Sequence, residues 1–407
     1  MDKRVPEVRF KGFTDDWEQQ QLKNITSRVK NNDGRMNLPT LTISASKGWL
    51  DQKERFSKNQ AGKEQKNYTL LSSGELSYNH GNSKLAKYGT VFVLRDYTEA
   101  LVPRIYHSFK MKNNNSACFI EYLFATKKLD RELRKLVTSG ARLDGLLNIS
   151  YDTFMSMFIK IPEFEEQFKI AKFLKKIDDT IALYQHQLEL YKKIKQSLLQ
   201  TMFPKDGEKV PKVRFTDFHD DWEQHSLKEV MKNFIVPMRD KPKKFDGNIP
   251  WTRIEDIDGK YLNGSKSGRY VSNNTIKEMH LKIIPSNSII VSASATFGVV
   301  AIVTQDLVTN QTFIGMVPNS NYTIDFLYSL FQSPVAQKKM KKESAGSTIF
   351  YIPRESFEKM KFNLPIISEQ NKVGTILKKI DSLISKYEYQ LILYKDIKKF
   401  NLQKLYI

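Results

Sequence analysis

Apolar residues recur at alternating three- and four-residue steps along two long stretches of the chain. Leu174, Ile177, Ile181, Tyr184, Leu188 and Tyr191 form one stripe; Leu377, Ile380, Ile384, Tyr387, Leu391 and Tyr394 form the other, with the same steps. That 3.5-residue repeat is the seam of a coiled coil. Residues 164–203 contain no Pro or Gly. A helix of roughly 38 residues there would be about 57 Å long. An amphipathic helix lying on a globular core shows similar spacing but usually runs about 8–20 residues. Length therefore favours the coiled coil.

Between the stripes the pattern shortens to β-rich runs separated by turn residues. LPTLTIS at 38–44, YTLLSSGELSYN at 68–79 and GTVFVLR at 89–95 predict strands, followed by a helix around Phe119–Val137. NSIIVSAS at 287–294, GVVAIVT at 298–304 and TFIGMV at 312–317 predict strands, followed by a helix around Ile324–Lys341. The common order of strands, then helix, predicts one fold with diverged surfaces. The apolar stretch around 283–303 is interrupted by Pro285, Asn287 and several serines, so it reads as strands and not as a membrane span.

The chain is a tandem duplication. VPEVRFKGFTDDWEQQQLK at 5–23 returns as VPKVRFTDFHDDWEQHSLK at 210–228, and KKIDDTIALYQHQLELYKKIK at 175–195 returns as KKIDSLISKYEYQLILYKDIK at 378–398. Stretches 30–148 and 235–348 do not resemble each other. A repeated frame carrying two unlike inserts suits a protein that measures two different things at a fixed separation. Chain order makes the second helix return antiparallel to the first, with the inserts at opposite ends of a rod and Ile407 near the opening at Asp2–Phe10. The expected class is α+β, two mixed α/β domains separated by two long antiparallel helices with pseudo-twofold symmetry. The boundaries are 1–163 and 205–366 for the domains, and 164–204 and 367–407 for the helices.

Net charge is +20, from 65 Lys+Arg against 45 Asp+Glu, which points to a polyanionic partner, nucleic acid first. The single cysteine, Cys118, excludes an internal disulfide or a multi-thiolate zinc site and predicts a reducing, cytoplasmic setting. No apolar leader follows Met1. The six histidines (His80, His107, His186, His219, His225, His280) lack metal-ligand spacing. There is no phosphate-binding loop and no dinucleotide fingerprint. Asp15, Asp16 and Glu18, with their repeats Asp220, Asp221 and Glu223, could form a carboxylate site, but a turn or helix-start role suits them better; Trp17 and Trp222 read as domain anchors.

Polar residues able to read base edges cluster in the predicted turns. In the first insert they are Ser44, Lys47, Tyr78, Asn79, His80, Asn82 and Lys84; in the second, Thr252, Arg253, Ser292, Ser294, Thr296, Asn310, Gln311, Ser347 and Thr348. Asn and Gln can pair bidentately with adenine, Arg and Lys with guanine, and Ser or Thr with either. Taken singly, each is also an ordinary turn residue. Lys110 and Lys112, and the run Lys338, Lys339, Lys341 and Lys342, suit phosphate contacts or solvated faces.

Together these segments resemble the specificity subunits of type I restriction–modification systems, over essentially the whole chain. The resemblance rests on the two VP-VRF…DDWE openings, Pro162 and Pro365 before the helices, the Glu166–Gln167 and Glu369–Gln370 pairs, the repeated KKID, and LLQTMFP at 198–204. IPWTRIEDI at 249–257, SASATFG at 292–298 and TNQTF at 309–313 resemble one class of target-recognition domain, and LPTLTIS…GELSYN another. The second copy departs from the pattern by ending at Leu405-Tyr406-Ile407 without MFP. The resemblance implies a non-catalytic subunit whose two domains read the halves of a split, asymmetric DNA site. It implies two methyltransferase subunits bringing S-adenosylmethionine for adenine methylation, and restriction subunits using ATP and Mg. A stand-alone DNA-binding regulator or scaffold, or an enzyme using the DDWE acids, are the competing readings.

Overall fold

The computed structural model describes residues 4–56, 62–81, 83–112, 114–138, 146–238, 240–292, 298–344 and 352–407. It divides into two compact units, Met1–Leu183 with Leu391–Ile407, and Tyr184–Gln390. The chain passes between them only within its two long helices, Phe164–Thr201 and Ile367–Lys404.

The units are built alike. In the first, a sheet runs in the order Thr26–Arg28, His107–Met111, Leu76–Asn79, Thr90–Val93, all antiparallel. In the second, Met231–Ile235, Phe313–Pro318, Ile289–Ser292 and Val300–Val303 repeat that order. The common strand order realises the single fold expected of the inserts. The differences lie outside this sheet. The first unit adds the ribbons Leu41–Ser44/Gly48–Asp51 and Thr69–Ser72/Glu99–Val102. The second adds Tyr261–Leu262, parallel to Val300–Val303, and a separate four-stranded sheet centred on Ile249–Thr252 and Leu307–Thr309.

Each insert is closed by a pair of strands absent from the sequence-based expectations. Glu18–Gln21 pairs with Phe158–Ile161, and Glu223–Ser226 with Lys361–Leu364. The helices expected at Phe119–Val137 and Ile324–Lys341 are each broken in two. The first becomes Ala117–Ala125 and Asp130–Leu136, with Lys127 in the left-handed region at φ 63°. The second becomes Ile324–Gln332 and Pro334–Glu343; Ser333 caps the new helix, and Pro334, with no N–H to donate, begins it.

The repeated residues make repeated contacts. Arg9 donates from Nε and Nη2 to the buried Glu166 carboxylate at 2.8 and 2.7 Å; Arg214 does the same to Glu369 at 2.8 and 2.9 Å. Gln167 donates to Pro162 O (2.8 Å) and accepts from Ser116 N (3.0 Å); Gln370 donates to Pro365 O (2.9 Å) and accepts from Thr323 N (3.1 Å). Each buried Glu–Gln pair thus ties the start of a long helix to the opening segment and to the N-terminus of an insert helix. Burying the carboxylates is tolerable because the paired guanidinium groups satisfy them in forked geometry.

The ends of the two long helices pack alike. Phe203 packs on Trp222 and Phe326, with ring centroids 6.4 and 5.5 Å away. Tyr406 takes the same place against Trp17 and Phe119 at 6.1 and 4.8 Å, almost fully buried. Val213 N donates to Thr201 O, and Val8 N to Lys404 O, at 2.9 and 3.0 Å. The C-terminus therefore lies against the first opening segment, as chain order required. Both tryptophans are buried anchors, as expected.

Pairing of the long helices is antiparallel within each unit. Asp178 meets Lys398 at 2.6 Å in the first unit; Lys195 meets Asp381 at 2.6 Å and Lys192 meets Glu388 at 2.8 Å in the second. Tyr387 lies between Tyr184 (5.8 Å) and Tyr191 (5.5 Å). Leu174, Ile177, Leu377 and Leu391 are buried. Ile181, Tyr184, Leu188, Tyr191, Ile380, Ile384, Tyr387 and Tyr394 are half-buried, as befits a two-helix seam with water on both sides.

Candidate nucleic-acid interface

A cleft of about 900 Å³ in the first unit gathers part of the expected polar set. Its walls are the end of the Leu41–Ser44 strand, the end of Leu76–Asn79, and Gly81 with Ser83–Ala86. Ser44, Asn79 and Lys84 line it together. Asn79 Nδ2 reaches Ile43 O at 3.4 Å while its Oδ1 accepts from Gly81 N at 3.0 Å. Ser44 Oγ lies 3.3 Å from Ser46 Oγ. Arg55, absent from the expected set, lines the same cleft and donates from Nη1 to Ile43 O at 3.3 Å. No motif marked it; only the ribbon brings it beside Ser44. Lys47 lines a separate cleft of about 440 Å³ with Arg95 and Lys127. A hydroxyl, an amide, an ammonium and a guanidinium on one concave wall supply the donors and acceptors that pair with base edges.

Two members of the expected set are buried and serve as supports. Tyr78 is fully buried, stacks on Phe154 at 4.2 Å, and donates its hydroxyl to Tyr88 O at 2.7 Å. His80 is 3% exposed, its ring nitrogens on Leu147 O (2.6 Å) and Ile105 O (3.0 Å). Gly89 makes this backing possible. Its φ is +81°, and a Cβ there would lie 2.5 Å from Asn79 O and 2.6 Å from the Tyr78 ring. Asn82 lies outside the described residues.

In the second unit Thr252 and Ser292 are fully buried, so they too face away from any ligand as placed. Thr252 Oγ1 donates to Val308 O at 3.3 Å, and Thr309 Oγ1 donates to Thr252 O at 3.0 Å, locking the parallel pair. Arg253 is partly exposed and pairs with Glu255 at 2.5 Å. Asn310 is half-buried and accepts from Thr312 Oγ1 at 2.5 Å; Gln311 is exposed. Ser294, Thr296, Ser347 and Thr348 lie outside the described residues. Among the lysines considered for phosphate contact, Lys339 is engaged with Asp206 (3.1 Å) and Lys361 O (2.7 Å), and Lys112 with Lys23 O (3.3 Å).

The repeated acids form no shared centre. Asp16 pairs with Arg4 at 3.4 Å and Asp221 with Lys209 at 3.0 Å, both exposed. Among the described residues no group of His, Cys, Asp and Glu could hold a metal ion, and no helix is long and apolar enough to cross a membrane.

His107 stacks on His80 at 4.9 Å and contacts Ile149 O at 2.9 Å. Burial pushes its pKa down to about 4, the Ile149 carbonyl opposing only in part. The unfolded chain binds this proton below about pH 6.5 and the folded chain does not. Its contribution is therefore complete above about pH 6.5 and lost as pH falls towards 4, up to about 3 kcal/mol at 1.36 kcal/mol per unit. Thermal melts should show the first unit weakening across that window, and His107→Gln should flatten the slope. An unchanged slope would contradict the assignment.

Two copies of one mixed α/β module, each closed on a shared antiparallel helix pair and each presenting its own polar surface, define a class of protein made to offer two unlike recognition surfaces. The model of the type I restriction modification DNA specificity domain matches residues 16–193 and again 219–393, and the chain belongs to that family, whose task is DNA sequence recognition. Among its relatives are two specificity subunits from Methanocaldococcus jannaschii. The type I restriction enzyme MjaIX subunit is 28% identical over 42% of this chain and 40% of its own length; the MjaVIII subunit is 25% identical over 68% of this chain and 66% of its own. The chain thus spans less than two thirds of the length of either. The fold matches the crystal structure of a type I restriction–modification S subunit from M. genitalium, with a TM-score of 0.62, 13% identity and 99% of both chains covered.

Proposed function

We propose that this chain is the DNA-reading subunit of a type I restriction–modification complex. Each insert reads one half of a split, asymmetric site, and the long helices set the unread gap. The carrying observation is the duplicated frame with its repeated Arg–Glu, Gln–carbonyl and Trp–aromatic contacts, built around inserts with unlike surfaces. Ser44, Asn79, Lys84 and Arg55 are the reading candidates of the first insert, and Arg253, Asn310 and Gln311 those of the second.

The chain supplies no chemistry of its own in this reading. Two methyltransferase subunits bring S-adenosylmethionine and flip an adenine for methylation of its exocyclic amine. Restriction subunits add ATP- and Mg-dependent cleavage. The complex works in the cytoplasm, where its DNA is.

The competing reading is a stand-alone DNA-binding regulator. Affinity purification of the full chain separates the two: a methyltransferase subunit should co-purify, and the pair should transfer methyl groups to adenine where the chain alone does not. A chain that binds a split DNA site with no methyltransferase partner would be a regulator, and methyl transfer by the chain alone would make it an enzyme.

A further inference from the structure

The long helices carry an equivalent acid–base pair in each unit, Asp178–Lys398 and Asp381–Lys195, both at 2.6 Å. Each insert adds its own partner to the acid. In the first unit the Tyr122 hydroxyl donates to Asp178 Oδ2 at 2.8 Å. In the second no hydroxyl among the described residues donates to Asp381 Oδ2. There Lys260, only 5% exposed at its side chain, lies with its Nζ 4.0 Å from Asp381 Oδ2, an ion-pair approach to an oxygen that makes no hydrogen bond among the described residues. The same ammonium lies 2.7 Å from Asp325 and 4.6 Å from the centre of the Tyr328 ring. Its backbone is fixed too, since Ile302 N donates to Lys260 O at 2.9 Å.

We propose that Lys260 is a positioning residue: an insert-borne latch whose seat on Asp381 sets the angle at which the second insert stands on its helices, and so the gap tolerated between the half-sites. This rests on the split-site reading above. Buried ion pairs contribute little net stability, because desolvation offsets attraction, but an arrangement that separates the partners leaves a buried charge uncompensated, so they favour one seating over others. Non-directional apolar packing, which surrounds the latch, holds the insert on without fixing its angle. The contrast between units fits an interchangeable insert on a constant frame: a neutral hydroxyl serves one acid and a buried ammonium the other.

Removing the latch should leave the fold standing. Asp381 keeps Lys195, and Asp325 keeps Lys378 at 3.0 Å. Burial pushes the Asp325 carboxyl up, but its two ammonium partners outweigh this and hold it below the usual carboxylate range.

The test uses the full chain with its methyltransferase partner and duplexes carrying both half-sites at the cognate gap and one base pair either side. The unmutated complex should methylate one gap. Lys260→Met should lose about tenfold of that discrimination, ~1.4 kcal/mol, with both half-site sequences unchanged. Asp381→Asn should relax the gap in the same way, and it decides the matter if Lys260→Met fails to fold. A strict gap in Lys260→Met and Asp381→Asn at wild-type melting temperature would overturn the latch. So would an altered second half-site at a strict gap, since Lys260 would then be a reading residue. If the unmutated complex methylates no split site, the specificity reading itself fails, which is a different result.

Discussion

Four residues inserted after Glu189, matched by four after Tyr389 in the facing helix, should lengthen the unread gap by one to two base pairs and leave both half-sites intact. The seam of the second unit places these positions near one level, since Lys192 faces Glu388 and Tyr191 stacks on Tyr387. Four residues add about 6 Å of helix, against about 3.4 Å per base-pair step. They also add little more than one helical turn, so the faces carrying Asp178, Lys195, Asp381 and Lys398 keep nearly the same direction. The four-residue insertion is a local stutter that unwinds the seam slightly without breaking it. The chain crosses between its compact units only inside these helices, so no other segment could absorb the added length. Mapping methylated adenines in cells carrying the longer chain gives the answer. An unchanged gap would end the ruler account, while loss of both half-sites would mean that the insertion had disrupted the frame itself.

Much of the frame was legible because its signals are periodic or repeated. The three-four steps from Leu174 to Tyr191 marked a helix that runs from Phe164 to Thr201. The repeated openings and the Glu166–Gln167 and Glu369–Gln370 pairs were visible as text, but their meaning was not. Arg9 meets Glu166 across 157 positions, and no local pattern announces such a contact. The closing strands were missed for a similar reason. Glu18–Gln21 is EQQQ, without the β-branched or aromatic residues that mark a strand, and it is held by its partner Phe158–Ile161. The break at Ser333-Pro334 was readable, since Ser before Pro is a helix start. The break at Lys127 was not, because a lysine gives no sign of a left-handed backbone.

The site was legible in kind more than in place. Ser44, Asn79 and Lys84 do meet in one cleft. Tyr78 and His80, their neighbours in sequence, do not join them. The Tyr78 ring is buried in a stack on Phe154, and two backbone carbonyls hold the His80 ring. A strand that presents every second residue can show only part of a polar run to a ligand. Arg55 arrives from the short helix Gln52–Phe56 that follows the Gly48–Asp51 strand, so proximity in space, invisible in the text, places it there.

The central claim, that each insert independently reads one half-site on a constant frame, is tested most directly by exchanging residues 30–148 for the corresponding insert of another family member and mapping methylated adenines. The exchange leaves the Arg9–Glu166 and Trp17–Tyr406 contacts of the frame in place. One half of the methylated motif should change completely, while the other half and the gap stay as they were. A motif in which both halves change, or in which neither does, would contradict the account.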